Sequence, residues 1–304
     1  MRKTFIKTLT ELAEKDSNIY LLTADMGFGM VEPFSEKYPD KFINVGVAEQ
    51  NMIGIATGLA LSGKIVFCYS IANFPTLRCL EQIRNDICYH NVRVHIVAGG
   101  VGLNYGALGS SHHTTEDVSI MRSLPNMTVI CPSDIREAEG AVRAMYKSES
   151  PCYMRLGYYD GKTTYDNREF KIGKASTIVS GLDATIITTG SMLNVALEAV
   201  DKLNRCNIYP TLINMHTIKP IDSEAIINES KISNIILTIE EHNLIGGLGS
   251  AVAEVIADNS LKVKFIRMGI PDVFCTQVMN RDNLLKCYGL TSDEVVKRIK
   301  DAIR

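Results

Sequence analysis

The feature that most narrows the possible folds is a repeated change of apolar period along the chain. Short runs rich in Val, Ile, Leu, Phe and Cys at 19–23, 42–45, 65–69, 92–98, 128–131 and 152–156 alternate with stretches of helical spacing. The first such stripe is Phe5, Ile6, Leu9, Leu12 and Ala13, and others are expected at 77–89 and 134–146. A strand that is apolar throughout must be covered on both faces, and neighbouring parallel strands need long crossovers. The pattern therefore predicts a largely parallel sheet with helices on both sides. After a polar stretch carrying Asp160-Gly161 and Asp166-Asn167, the alternation restarts with strands at 184–189, 209–213, 235–239 and 263–267. Helical patterns at 194–203, 222–229, 249–257 and 292–303 accompany them. Two α/β domains are expected, 1–160 and 177–304, joined by a linker at 161–176.

At 304 residues the chain has ample material for such cores. Its net charge of −2 gives no electrostatic case for nucleic acid or an anionic membrane as partner. Charged residues interrupt every apolar run well before membrane-spanning length. The basic start of the chain runs into Glu11 and Glu14 on a helical pattern, without the apolar stretch of a signal peptide. None of the eight cysteines forms a C-x-x-C pair and most lie in apolar segments, so buried thiols in a reducing cytoplasm are expected. The histidines and cysteines lack zinc-ligand spacing.

Residues 42–60 hold the most unusual local pattern. An apolar strand breaks at Gly46, Glu49 opens a helix, and Gly54, Ala56, Gly58 and Ala60 pave its next turns. Small side chains let such a helix approach a neighbour or a ligand closely. Glu49 has two readings: an acid favoured by the helix N-terminus, or a carboxyl group aimed into a cleft to handle a proton. Residues 99–111 form a glycine-rich loop without periodicity, a kind of segment that tends to be functional in compact domains. Gly246-Gly247-Leu248-Gly249 opens a helix and could hold an anion or allow tight packing.

The string F-x-N-V-G-V-A-E-Q-N-M at 42–52 resembles the pyrimidine-domain signature of the transketolase family, thiamine-diphosphate enzymes that move two-carbon ketol units. The likeness continues through Glu81-Gln82-Ile83-Arg84-Asn85, the stretch 121–129, the stretch 214–222, Glu240-Glu241-His242 and Gly246 to Ser250. These blocks keep family order over nearly the whole chain. The resemblance implies that Glu49 bonds the aminopyrimidine ring nitrogen and relays a proton, and that Phe74 stacks on that ring. It also implies that His112 faces the substrate, with Asp25 near the cofactor. Ile71 stands where the family tends to place a second aromatic, costing the pocket one wall. Asp25 could equally cap the turn after its strand, and His113 is expected to be supporting or exposed.

Other positions depart from the family pattern. An acidic residue is replaced by Leu108, an arginine by Tyr158 and a serine by Gly29. Charged partners make the strong phosphate bonds, so their loss predicts a substrate other than the usual pentose phosphates, such as a differently decorated or nucleotide-linked sugar. The family's G-D-G, which binds the diphosphate and Mg2+, has no counterpart here. The resemblance therefore implies half an enzyme. An N-terminal transketolase subunit would hold the phosphate tail and the metal, and paired halves would give an α2β2 assembly. Two competing readings are the β subunit of a 2-oxoacid dehydrogenase E1 and a non-catalytic protein that kept the fold. The blocks at 214–222 and 240–250 favour the transketolase pattern over the first. Joint retention of Glu49, Phe74 and His112 speaks against the second.

Overall fold

The computed structural model describes residues 1–158 and 169–304, so the first half of the expected linker lies outside the described residues. Among the described residues, twelve strands form two sheets. In chain order they are β1 Ile19–Thr23, β2 Phe42–Asn44, β3 Ile65–Ile71, β4 Val94–Gly99, β5 Thr128–Ile130, β6 Cys152–Leu156, β7 Ser176–Val179, β8 Thr185–Thr188, β9 Thr211–Asn214, β10 Thr217–Lys219, β11 Ile235–Asn243 and β12 Lys264–Ile270. The seven-stranded sheet runs β10-β5-β6-β4-β3-β1-β2, and the five-stranded one β12-β11-β8-β9-β7. All pairings are parallel except two at edges, β10 with β5 and β7 with β9.

Burial explains the parallel centre. Every residue of β3, β4 and β6 is buried, and alternate side chains serve opposite faces. From β3, Phe67 and Tyr69 join Phe5 and Leu9 of the helix Arg2–Lys15 and Ala138 and Val142 of the helix Ile135–Lys147. From the same strand, Val66 and Cys68 join Met52, Ile53 and Ala56 of the helix Glu49–Leu61. That second cluster continues through Ile187, Ile213 and Ile236 to Leu248 and Val252, so apolar packing links the two sheets.

Three features differ from the sequence expectation. The helix expected at 77–89 is broken into Asn73–Leu77, Leu80–Gln82 and a wide turn of helix at Ile83–Cys88. Pro75 suits a first helical turn, so the helix begins earlier than the apolar stripe indicated. Strand β10 belongs to the second half of the sequence but completes the first sheet, through Thr217 opposite Ile130. Three residues are too few for alternation to show. Finally, Cys68, Cys79, Cys88, Cys131 and Cys152 are buried as expected, while Cys206 and Cys287 are exposed and Cys275 is half-buried.

The chain leaves β1 toward β2 on one side and returns to β3 on the other, so the connections diverge around β1. Clefts in such sheets open at the carboxyl ends of the strands where the order reverses. Asp25 follows β1, Glu49 follows β2, Phe74 follows β3 and His112 lies in the loop after β4. Four candidate residues far apart in sequence thus share one sheet edge. Among the described residues, no helix is long and apolar enough to cross a membrane.

Candidate active site

Gly46, at φ +73°, turns the chain out of β2 and lets Glu49 begin its helix. The Glu49 side chain is 4% exposed, and its Oε2 accepts from Arg78 Nη1 at 3.2 Å. Arg78 ends the short helix that carries Phe74, and its guanidinium lies 4.2 Å from the centre of the Phe74 ring. His112 meets that ring edge-on at 5.6 Å and also contacts Tyr105 at 6.0 Å. Its Nδ1 lies 3.0 Å from Ser111 Oγ. The structure therefore joins Glu49, Phe74 and His112 through Arg78, a residue the sequence reading had not singled out. Its signal was available: Arg78 follows Phe74 by four positions, the spacing of neighbours on a helix.

The other candidates are placed differently. Asp25 is exposed, at φ 54°, and is clasped by Asn44. Asn44 Oδ1 accepts from the backbone N–H of Asp25 at 2.9 Å and of Gly46 at 3.1 Å, while its Nδ2 donates to Asp25 Oδ1 at 3.3 Å. The pair ties the loop after β1 to the turn ahead of Glu49. Ile71 is buried at the end of β3, beside Gly99 of β4. His113 is buried and supporting, with Nε2 3.1 Å from the carbonyl of Gly106. Leu108 and Tyr158 are both exposed, and Arg281 lies 4.9 Å over the Tyr158 ring. The backbone N–H of Gly29 is held by Glu32 Oε1 at 2.8 Å. A cavity of about 290 Å³ opens beside the loop, lined among others by Asn73, Leu77, His113, Ile270 and Phe274.

The loop that presents His112 is fixed from below by charges reaching across the two sheets. Gly102 and Thr114 exchange two backbone hydrogen bonds of 2.9 Å and pinch the loop closed. Arg155 donates to the carbonyls of Thr114 and Glu241, each at 3.0 Å, and to Asp117 Oδ2 at 2.8 Å. Glu241 accepts from the backbone N–H of Leu103 at 2.9 Å, from Ser191 Oγ at 2.6 Å and from Arg281. Burial alone would raise the Glu241 carboxyl, but Arg281 and these donors hold it below the usual carboxylate range. The sequence showed Glu240-Glu241-His242 as a block; that Glu241 reaches back under the His112 loop is a tertiary fact.

The glycine cluster at 246–249 does not wait for an external anion. Glu240 fills that position itself, accepting from the backbone N–H groups of Leu248 at 2.7 Å and Gly249 at 2.8 Å. Among the described residues, no group of three or more His, Cys, Asp or Glu side chains could hold a metal ion. Chemically, the edge above β1–β4 offers a buried carboxylate, an aromatic face and an imidazole in one continuous line. The guanidinium of Arg78, a flat nitrogen cation, rests between the first two. Glu49 and Phe74 thus both face one flat nitrogen cation.

Comparison with known proteins adds sequence-wide likeness to this geometry. Residues 1–158 match the family described as transketolase, pyrimidine binding domain, and residues 173–295 the transketolase C-terminal domain. A putative transketolase C-terminal section of Methanocaldococcus jannaschii is 44% identical over 308 aligned positions, covering 100% of this chain and 96% of that protein. One of the subunits of an apulose-4-phosphate transketolase from Phocaeicola vulgatus is 36% identical, covering 100% of this chain and 97% of its own. A solved split-gene transketolase, described as an inactive beta4 tetramer, superposes with a TM-score of 0.90 at 36% identity. That match covers 99% of this chain and 97% of the other.

Proposed function

This chain belongs to the transketolase family, and from that premise we propose that it is the C-terminal subunit of a split enzyme and supplies the pyrimidine half of a shared thiamine-diphosphate site. The proposed division of the chain is 1–160 for that half and 177–304 for the C-terminal domain, with 161–176 between them. Bound thiamine diphosphate supplies an electron sink for cleaving and forming the carbon–carbon bond of a ketose. Glu49 holds and returns the proton at the aminopyrimidine nitrogen, Phe74 gives that ring a flat apolar face, and His112 donates to a sugar oxygen. Asp25 and Ile71 border the pocket at the ends of β1 and β3. The diphosphate and Mg2+ are held by an N-terminal subunit, in an α2β2 assembly.

One observation carries this reading. A carboxylate that is 4% exposed stands at the switch edge of the sheet, joined through Arg78 to Phe74 and from there to His112. A purely structural glutamate at a helix start needs no such company. The substrate is a ketose whose far end differs from that of the common pentose phosphates: by the family pattern Tyr158 replaces an arginine that would grip a phosphate and Leu108 an acidic residue that would meet sugar hydroxyls, and both are exposed. A relative at 36% identity is named for apulose-4-phosphate.

The test is to purify the chain alone and together with its N-terminal partner, then assay transfer from a panel of ketoses with and without phosphate. Turnover is expected only in the mixture. Full activity of the chain alone would overturn the split-site reading.

A further inference from the structure

Resting on the reading of Glu49 and Phe74 above, we propose that Arg78 occupies the pyrimidine seat in the isolated chain, and that cofactor loading requires it to leave. A guanidinium is a planar cation with N–H donors along its edge. Here it lies against Phe74, 4.2 Å from the ring centre, and donates to Glu49 Oε2 at 3.2 Å. An aminopyrimidine asks the same two residues for the same two services, a flat apolar face and a carboxyl group beside a ring nitrogen. Glu49 is 4% exposed, which leaves little space for a second planar partner beside the first.

Physical necessity and ease of departure both point to a temporary occupant. A buried carboxylate without a counter-charge is strongly unfavourable, so Glu49 needs a cation beside it. Arg78 is 52% exposed, and among the described residues its ion pair is with Glu49. Half-exposed pairs and exposed cation–π contacts are weak. By contrast, Arg281 on Glu241 is 11% exposed and clamps its partner through both Nε and Nη2, the arrangement of a permanent support. Arg78 also closes the short helix ahead of the break at Cys79, where its side chain can swing toward solvent without disturbing a longer helix. The consequence is selectivity. Flat nitrogen bases lacking a diphosphate must compete with Arg78 unaided, while the full cofactor adds the partner subunit's grip.

The probe is free thiamine, which carries the aminopyrimidine without the phosphates, titrated by calorimetry into the full-length chain. Arg78→Met is expected to bind thiamine about tenfold more tightly than wild type. Arg78→Lys, which keeps the charge but loses the flat stack, should gain about threefold. Adding Glu49→Gln to Arg78→Met should remove the gain. If Glu49→Gln weakens thiamine binding while neither Arg78 variant strengthens it, Arg78 does not hold the seat and the site reading stands. If wild type and both Arg78 variants fail to bind thiamine at all, the proposal and the placement of the pyrimidine fail together. A melting curve for each variant reports folding, and Arg78→Lys decides the matter should Arg78→Met not fold.

Discussion

Three buried glutamates show how much a side chain's partner matters. Glu240 is held by two backbone N–H groups at a helix start, and Glu241 by Arg281, Ser191 and Leu103. Glu49 is equally buried, but its cation is a half-exposed arginine at the rim. The first two carboxylates are locked into support, whereas the partner of Glu49 sits half in solvent. Replacing it by Gln keeps the shape and hydrogen-bonding reach but removes the capacity to pass a proton. Glu49→Gln in the assembled enzyme should lower turnover at least about 100-fold while the chain's melting temperature stays near wild type. Near-normal steady-state turnover would take Glu49 out of the mechanism. The sequence named Glu49 through its neighbours in the signature, yet nothing in it distinguished a carboxylate paired at the rim from the two held in the interior. That distinction depends on Arg78 and Arg281, which are remote in sequence from at least one of the acids they meet.

At the level of elements, the loop after β4 was legible only as a glycine-rich stretch without period at 99–111. Its order comes from the pinch between Gly102 and Thr114 and from the charges of Arg155 and Glu241 beneath it. Gly102 sits at φ +64°, and a Cβ there would stand 2.7 Å from Glu241 Oε1. Gly102→Ala should cost about 1–3 kcal/mol through backbone strain, with an added loss of turnover because the displaced loop carries His112. Urea unfolding and the kcat of the assembled enzyme would measure the two effects separately. Unchanged values in both would show the loop to be more forgiving than its packing indicates. The helix Ile135–Lys147 is the opposite case. Asp134 accepts from the backbone N–H groups of Arg136 and Glu137 as its cap, and the helical spacing at 134–146 had announced the element. Helix Asn73–Leu77 fell between these cases, since its proline marked a start that the apolar period placed too late.

For the molecule as a whole, two buried histidines away from the line of Glu49, Phe74 and His112 make the fold less stable in acid. His95 is fully buried, packs on Phe67 with ring centres 4.9 Å apart, and both its nitrogens lack a hydrogen-bond partner among the described residues. Burial, with Arg93 adding to it, pushes its imidazole down to about 3. Burial takes His216, which stacks on Phe170 at 4.2 Å, down to about 4. Both stay neutral in the folded chain at acidities where the unfolded chain takes up a proton. Their contribution is complete above the ordinary histidine value of 6.5 and is lost progressively as the pH falls toward 3–4. His95→Phe, which keeps a ring against Phe67, should therefore flatten the fall of Tm between pH 6.5 and 4. A variant whose Tm falls as steeply as wild type would mean that His95 finds a proton acceptor when charged.

The sequence by itself determined the α/β class, most strand positions and the family, and it offered Glu49, Phe74 and His112 as candidates, because local apolar period and short signatures survive in one dimension. Tertiary structure alone decided that β10 closes the first sheet, that Glu241 underpins the His112 loop, and that Arg78 stands between Glu49 and Phe74. Each of these is a contact across sequence distance or between strand ends. Such contacts are set by which strands neighbour one another in the sheets, a choice that no local pattern encodes.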